Sequence, residues 1–324
     1  MEHRLSMDMV KVCELAAIES AKTMGFGDRK KSDKAAVEAM RTQLEKVDIN
    51  GTIVIGEGER DKAPMLFIGE KVGKGKNNPD FPEIDIAVDP LEGTNLVATG
   101  SNNAITVLAG SEKGGLLYAP DIYLDKLVVG PSSAESVHID MEVKDIIKAV
   151  AKALDRKVND IVVSILDRER HHNLIEKVRQ TDARIQLISD GDLSAGIAAV
   201  VRGSGIHIVM GSGGAPEGVL CAAALKCIGG QIYSRFLPKD ASQKERLKSM
   251  GIDHDNVFTK ETLAPGNNIL FAATGVTNGS ILKGVRFFGD GIRTNSILMT
   301  NLEHRIQFID TIHFREKGKM PIWL

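Results

Sequence analysis

The chain has 324 residues, a formal net charge of −2 at pH 7 and an aromatic content of only 4%. This length can enclose a substantial hydrophobic core and, by typical domain sizes, two domains. The near-neutral charge excludes the global basic excess of nucleic-acid-binding proteins, and the few aromatic residues leave little surface for stacking on bases. We therefore expect a small-molecule partner and no nucleic acid.

The cysteines and the hydropathy pattern bear on the cellular compartment. Cys13, Cys221 and Cys227 are too few and too scattered for a disulfide framework, so a reducing compartment is expected. The first residues lead into a charge-dotted segment without the apolar core of a signal peptide, and no later stretch stays uncharged for the length of a membrane span. These observations predict a soluble, cytoplasmic protein that does not associate with membranes.

Two helices are predicted at the start of the chain. Apolar residues recur at helical spacing over residues 7–24, and Gly25 and Gly27 are expected to end that helix. Ser32 and Asp33 then stand where N-cap residues belong, before a second apolar-periodic segment. This reading places the carboxylate of Asp33 at the start of a helix.

A motif of acidic residues follows the predicted buried strand 84–88. The strand leads into the sequence DPLEGT, and Pro90 is expected to stop it because proline offers no ladder donor. Asp89 and Glu92 could then point at one cation, and Thr94 could aim its hydroxyl at a water on that cation. Hard oxygen ligands of this kind suit Mg²⁺ or Mn²⁺. A turn with an Asx cap is the alternative interpretation of the motif alone.

A second strand, predicted over residues 51–55, also leads to carboxylates, in the segment Gly56-Glu57-Gly58-Glu59. Acidic residues thus recur where apolar strands end or helices begin. Individually each is an ordinary surface carboxylate, but together they could hold two divalent cations about 3.5–4 Å apart, an arrangement that clamps phosphoryl groups and activates water. The five residues of this set are Asp33, Glu57, Asp89, Glu92 and Glu217.

The remaining chain predicts further strands and, in the second half, alternating strands and helices. Such alternation indicates parallel βαβ units. We place an N-terminal metal-binding α/β domain at residues 1–155 and a C-terminal α/β substrate domain at residues 156–324. The predicted strands are 104–109, 115–119, 126–129, 160–166, 185–189, 206–210, 268–274, 293–301 and 305–313, and the predicted helices are 144–154, 172–180, 193–201 and 217–228.

A glycine-rich segment, residues 211–218, lies between a predicted strand and a predicted helix. A strand, a glycine loop and a helix together form the usual cradle for a phosphate. The segment also imitates a dinucleotide-binding fingerprint, but Pro216 stands where the third glycine belongs, and Arg235 rather than an acid lies about twenty residues on. An NADP-linked oxidoreductase is therefore disfavoured, while a tight turn without ligand stays open. Pro216 suits the first helical turn, which would place Glu217 beside the phosphate.

Two further junctions carry polar residues. Asp190 and Asp192, separated by Gly191, close a predicted strand, and the first carboxylate could accept hydrogen bonds from sugar hydroxyls or cap the next helix. Arg168 and Arg170 follow another strand and could grip a second phosphate bidentately. A solvated charge run is the competing interpretation of the two arginines.

Taken in order, these motifs resemble those of the class II fructose-1,6-bisphosphatases of bacteria, over nearly the whole chain. That family belongs to the lithium-sensitive, metal-dependent sugar phosphatases. The resemblance implies a layered α/β/α/β/α fold and hydrolysis of the 1-phosphate of fructose 1,6-bisphosphate in gluconeogenesis. It also implies a homo-oligomer, either a dimer or a tetramer. The motifs that carry it are Asp33, Gly56-Glu57-Gly58-Glu59, the DPLEGT motif, Ala119-Pro120-Asp121, Asp190-Gly191-Asp192 and the segment 213–218.

The resemblance also implies roles for individual residues. Asp33 and Glu57 would hold one Mg²⁺ or Mn²⁺, and the other three acids a second. Water would attack directly, without a phosphoenzyme, and Thr94, hydrogen-bonded to a nearby carboxylate, would orient or deprotonate it. Some relatives have lysine at the position of Arg29, which leaves any role of Arg29 open. The residues expected to contact substrate are Glu92, Gly93, Thr94, Tyr123, Arg168, Glu169, Arg170, Asp190, Gly191, Asp192 and Gly214.

Two alternatives to this activity stay open. Sedoheptulose 1,7-bisphosphate differs from the hexose compound by one hydroxymethine unit, so the chain could act on it instead of, or besides, fructose 1,6-bisphosphate. A non-catalytic sugar-phosphate sensor would need the binding residues but not Thr94 or the metal ligands, all of which are present.

Overall fold

The computed structural model describes residues 3–56, 65–289 and 291–314. Glu57 and its neighbours up to residue 64 therefore lie outside the described residues. The helices are α1 (His3–Ala21), α2 (Arg29–Leu44), α3 (Thr94–Thr99), α4 (Val143–Ala153), α5 (His172–Arg179), α6 (Asp192–Val200), α7 (Ala215–Ile228), α8 (Ala241–Ser249) and α9 (Lys260–Leu263). Short 3₁₀ turns occupy Pro131–Ser136, Val158–Asp160 and Glu169–His171.

The strands form two sheets. They are β1 (Asn50–Ile55), β2 (Lys71–Val72), β3 (Glu83–Glu92), β4 (Ile105–Glu112), β5 (Tyr123–Val129), β6 (Val162–Leu166), β7 (Arg184–Ile188), β8 (Ile208–Gly214), β9 (Gln231–Phe236), β10 (Phe258–Thr259), β11 (Leu270–Gly275), β12 (Arg286–Phe287), β13 (Gly291–Thr300) and β14 (Arg305–Phe314). The first sheet has the order β12-β13-β11-β4-β3-β1-β2, with β14 also paired to β13, and the second has the order β10-β9-β5-β8-β6-β7.

The hydrophobic residues divide into layers. Helices α1 and α2 cover one face of the first sheet, and α6 and α7 fill the space between its other face and the second sheet. Helices α4 and α5 cover the outer face of the second sheet. Each sheet is thus apolar on both faces, as strands covered by helices on both sides require. The result is the layered α/β/α/β/α fold that the motifs predicted.

The predicted parallel units are present in part of the second sheet. Strand β6 pairs in parallel with β7 and β8, and helices α5 and α6 lie in the crossovers. Strand β5, however, lies antiparallel between β8 and β9, and β9 was not predicted. The predicted strand 115–119 is wrong, because these residues form bends and irregular chain.

The sheets do not divide the chain in sequence order. Strand β5 belongs to the second sheet, whereas β11 to β14 return to the first. The division into domains 1–155 and 156–324 stays a prediction. No helix among the described residues combines the length and the apolar character that a membrane span needs.

Candidate metal centre and phosphate site

An irregularity in β3 brings two acidic residues of one strand together. The prediction that the strand stops at Pro90 is wrong, because β3 continues to Glu92. Its register against β4 shifts between Asp89 and Glu92. Residues three apart in a regular strand face opposite sides of the sheet, so the shift is needed for both to reach one point. The carbonyl of Pro90 accepts a hydrogen bond from Thr106 Oγ1 at 2.9 Å, and Asp89 Oδ1 accepts one from the Leu91 amide at 3.0 Å.

The glycine-rich segment is a strand rather than the predicted loop. Strand β8 runs to Gly214 because β5 pairs with it antiparallel, with Tyr123 opposite Gly214. Gly214 is then the N-cap of α7, and Pro216 lies in the first turn of that helix as predicted. A Cβ added at Gly214 would lie 2.2 Å from Glu217 Oε2, so the glycine leaves room for this carboxylate.

The structure brings three of the predicted metal ligands together. Asp89, Glu92 and Glu217 each offer a carboxylate oxygen, and these oxygens lie within 4.8 Å of one another. We call these residues the acidic cluster. Glu92 is only 5% exposed, and Glu217 Oε2 is buried with no hydrogen-bond partner among the described residues. Converging buried oxygens with an unsatisfied acceptor fit a hard divalent cation.

Burial and neighbouring negative charges make two carboxylates of the acidic cluster hard to ionise without a cation. Desolvation, followed by the charges of Asp192, Glu217 and Asp190, raises the pKa of Glu92 well above its ordinary value. Desolvation and Asp192 also raise the pKa of Glu217, although the Lys126 ammonium opposes this shift. A bound cation would replace the protons that these shifts favour.

Asp33, one of the other two predicted metal ligands, is not part of this cluster. Helix α2 begins at Arg29 with Asp28 as its N-cap, whose side chain accepts a hydrogen bond from the Lys31 amide, so the predicted cap at Ser32 and Asp33 is wrong. Asp33 lies one turn before Ala36, which packs against Leu91 of β3 and the residues of α3. The structure thus places Asp33 on the helix that packs against β3 and α3, whereas Glu57 lies outside the described residues.

Gly93 and Thr94 form the start of the short helix α3. Gly93 has φ +88°, which favours glycine, and it is the N-cap residue. Thr94 Oγ1 donates a hydrogen bond to the Leu91 carbonyl at 3.1 Å. Among the described residues the Thr94 hydroxyl thus bonds to the backbone, and its bond to a carboxylate stays a prediction.

A second glycine-initiated helix faces α3. Gly191, also at φ +88°, is the N-cap of α6, so the proposed capping role of Asp190 is wrong. Instead Asp190 Oδ2 accepts hydrogen bonds from the amide and the side chain of Asn95, at 3.3 and 3.0 Å. Asn95 Oδ1 in turn accepts one from Arg29 Nη1 at 2.8 Å. This contact gives Arg29 a structural partner at the site.

The start of α6 is tied to the acidic cluster. The Leu193 amide donates to Glu92 Oε1 at 3.0 Å. The side chain of Asp192 accepts a hydrogen bond from Lys126 Nζ, and the two side chains are only 12% and 6% exposed. Burial acts to lower the pKa of Lys126, but the charges of Asp192 and Glu217 outweigh it and raise that pKa overall.

Two cationic side chains lie around Tyr123, which pairs with Gly214 at the end of β8. The Arg170 guanidinium lies 4.9 Å and the Lys239 ammonium 4.7 Å from the centre of the Tyr123 ring. We call these three residues the basic region. Arg170 is fixed by bonds to Ser212 Oγ at 3.0 Å and to the Ser212 carbonyl at 2.8 Å. Both cations are exposed, so an anion could reach them.

The neighbours of Arg170 are arranged differently. His171 is buried, with Nδ1 2.8 Å from the Leu166 carbonyl and Nε2 accepting from the Ser212 amide at 2.8 Å. It therefore supports Ser212, and burial lowers its pKa. Arg168 Nη1 donates to the Asp167 carbonyl at 2.9 Å, and Glu169 starts the 3₁₀ turn. Contact of Arg168 and Glu169 with substrate stays a prediction.

Three residues of the site escaped the sequence analysis. Lys126 lies inside a predicted strand, Asn95 in a helix too short to show a period, and Lys239 in the segment after the unpredicted β9. A lysine within an otherwise apolar strand was the only signal that could have singled out Lys126.

Comparison with known proteins identifies the family of the chain. A family profile described as bacterial fructose-1,6-bisphosphatase, glpX-encoded, matches residues 3–313. The D-fructose 1,6-bisphosphatase class 2/sedoheptulose 1,7-bisphosphatase of Synechococcus sp. (strain JA-2-3B'a(2-13)) is 47% identical, with 99% of this chain and 98% of that protein covered. The protein of the same name from Synechocystis sp. (strain ATCC 27184 / PCC 6803 / Kazusa) is 46% identical, with 99% of each chain covered. The chain therefore belongs to the bacterial class II fructose-1,6-bisphosphatases.

Proposed function

We propose that this protein hydrolyses the 1-phosphate of fructose 1,6-bisphosphate to give fructose 6-phosphate and phosphate, with Mn²⁺ or Mg²⁺ as cofactor. The observation that carries the proposal is the placement of the acidic cluster and the basic region at the same end of β8. Ser212 holds Arg170, and Gly214 begins the helix that carries Glu217. A sugar with two phosphates offers one phosphate for the acidic cluster with its cation and one for the basic region. The proposal includes a cytoplasmic setting, a role in gluconeogenesis and a homo-oligomeric state.

The acidic cluster would hold one cation, and Asp33 with Glu57 would hold a second. The unsatisfied oxygen of Glu217 and the close approach of three carboxylates support the first assignment. A divalent cation there supplies positive charge to the phosphoryl oxygens and makes a water molecule more acidic. In phosphoryl transfer such positioning and charge account for most of the lowering of the barrier.

Thr94 would orient the attacking water. Its only proton is donated to the Leu91 carbonyl, so the hydroxyl oxygen offers its lone pairs as an acceptor. A water that donates to Thr94 turns a lone pair of its own toward the phosphorus atom. The amides of Gly93 and Thr94 are at the start of α3 and would bind phosphoryl oxygens. Direct attack leaves no phosphoenzyme.

The sugar and its second phosphate would lie between α6 and the basic region. Asp190 and Asp192 are carboxylates fixed by Asn95 and Lys126, which makes them suitable acceptors for sugar hydroxyls. Arg170 and Lys239 would neutralise the phosphate that does not react, and Tyr123 would donate its hydroxyl. The backbone of Gly214, opposite Tyr123, would contact the sugar phosphate between them.

Sedoheptulose 1,7-bisphosphate is the second candidate substrate, because the names of the Synechococcus and Synechocystis relatives give both activities. Arg170 is held by Ser212, but the exposed side chain of Lys239 could follow a phosphate that lies one carbon farther from the reacting one.

The test is inorganic phosphate release by purified, metal-stripped protein after Mn²⁺ or Mg²⁺ is restored. The substrates are fructose 1,6-bisphosphate, sedoheptulose 1,7-bisphosphate and inositol 1-phosphate. We expect metal-dependent release from the two ketose bisphosphates and little from inositol 1-phosphate. Tight binding without release would favour the sensor, and no binding of any of the three would contradict the proposal.

A further inference from the structure

Lys126 is a charged residue in an apolar position. In β5 it lies on the same face as Leu124 and Val128, because residues two apart in a strand point the same way. These two neighbours belong to the core shared with α6 and α7. Its side chain is 6% exposed. Lysine is almost never buried to this extent unless it is paired, and replacing a buried ion pair by apolar side chains is often neutral for stability. The position therefore calls for a reason other than folding.

The surroundings of the ammonium are built around one carboxylate. Lys126 Nζ donates to Asp192 Oδ2, and a Cβ added at Gly213 would lie 2.3 Å from that oxygen and 2.6 Å from Nζ. Any side chain at residue 213 would thus push one or both partners of this pair out of position. The stem of Lys126 lies along the first turn of α7, with Cδ 3.9 Å from a Cβ added at Gly218.

This ammonium is also next to the acidic cluster. Lys126, Asp192 and Glu217 line one small internal cavity. A positive charge fixed there attracts Glu217 and repels a divalent cation that the same carboxylate would hold. Lys126 therefore acts on two neighbours with opposite consequences, because it orders Asp192 while it weakens the attraction of the cluster for metal.

We propose that Lys126 is a positioning residue that fixes the Asp192 carboxylate for the hydroxyls of the sugar and keeps divalent-cation binding from becoming too tight. The inference rests on the proposed function. It predicts that loss of the charge weakens sugar bisphosphate binding and strengthens cation binding in the same protein. A purely structural role would weaken both.

The test compares Lys126→Met and Lys126→Gln with the unaltered protein. In Lys126→Met we expect the KM for fructose 1,6-bisphosphate to rise about tenfold, the loss of one charge-assisted contact. The dissociation constant for Mn²⁺, measured by titration of the metal-stripped protein without substrate, should fall severalfold. Lys126→Gln can still donate to Asp192, so it should recover much of the KM while binding Mn²⁺ as tightly as Lys126→Met.

Asp192→Asn provides the coupling control. If Lys126 acts through Asp192, the KM increases of Lys126→Met and Asp192→Asn should not add in the double variant. Additive increases, an unchanged KM in Lys126→Met, or weaker Mn²⁺ binding in both Lys126 variants would overturn the inference.

The outcome is separable from that of the proposed function. If the unaltered protein releases no phosphate from fructose 1,6-bisphosphate, the proposed function fails, whereas the Mn²⁺ titration still decides the effect of the charge. If thermal unfolding shows that Lys126→Met is not folded, both measurements are made on Lys126→Gln alone. Tighter Mn²⁺ binding by Lys126→Gln then supports the inference, and unchanged or weaker binding overturns it.

Discussion

The acidic cluster and the basic region would each face a phosphate, yet they are built in opposite ways. The carboxylates of the cluster come from a shifted strand and a helix start, and they are largely buried around an unsatisfied oxygen. The cations of the basic region are exposed side chains beside one aromatic ring. A phosphate at the cluster needs a metal to reverse the charge, whereas a phosphate at the basic region is bound by the protein itself. The reaction would thus take place among buried carboxylates, whereas recognition of the second phosphate would depend on exposed cations.

The largest effect is expected from removing one charge of the acidic cluster. Asp89→Asn keeps the acceptor for the Leu91 amide but loses a ligand charge, so we expect loss of metal and, with it, of phosphate release at ordinary Mg²⁺ concentrations. Cation titration and phosphate release measure the two losses. Asp80→Asn, on an exposed loop, is the matched control. Full activity of Asp89→Asn would contradict the ligand assignment.

Thr94→Ala should separate catalysis from metal binding at the same end of the molecule. Because the variant loses the water-orienting hydroxyl and its bond to the Leu91 carbonyl but no metal ligand, turnover should fall by roughly 10²-fold or more while cation affinity and folding are kept. Thr94→Ser restores a hydroxyl and should recover part of the rate. Near-normal turnover in the alanine variant would remove Thr94 from the mechanism.

Changes in the basic region should alter binding rather than turnover. We expect Arg170→Met to raise the KM for fructose 1,6-bisphosphate about tenfold or more, and Lys239→Met to raise it less, because Arg170 is also fixed by Ser212. Arg179→Met, on the exposed end of α5, should leave the KM as it is. Equal KM values in all three variants would place the second phosphate elsewhere.

The smallest effect concerns stability. Because burial raises the pKa of Glu92, the folded metal-free protein binds a proton more tightly there than the unfolded chain does. The contribution of Glu92 to stability should therefore be fully present below the ordinary glutamate pKa of about 4.3 and be lost as pH rises through the raised value. The metal-free Glu92→Gln variant should lack this loss of stability with rising pH and should melt a few degrees higher than the unaltered metal-free protein at neutral pH. The control variant Glu245→Gln, changed at an exposed residue, should melt at the same temperature as the unaltered protein. A lower melting temperature for Glu92→Gln would contradict the shift.

The acidic cluster was largely predictable from the sequence and the basic region only in part. Asp89, Glu92 and Glu217 follow or begin elements whose hydrophobic patterns are strong, so their convergence could be inferred. The register shift after Asp89 could not, because Pro90 reads as the end of a strand when the partner β4 is unknown.

The basic region and the second sheet depend on pairings that local patterns do not encode. Glycines 211–214 read as a loop because nothing local indicates that β5 pairs with them in the opposite direction. Lys239 approaches Tyr123 only through β9, whose alternation was not recognised. Lys126 and Asp192 are 66 residues apart and meet only in the folded chain.

The most direct test of the contrast between the two regions is a ratio. It is the kcat/KM for fructose 1,6-bisphosphate divided by that for fructose 1-phosphate, measured in the unaltered protein and in the Arg170→Met/Lys239→Met double variant. If the basic region binds the phosphate that does not react, the ratio is large in the unaltered protein and falls toward one in the variant. An unchanged ratio would contradict the account.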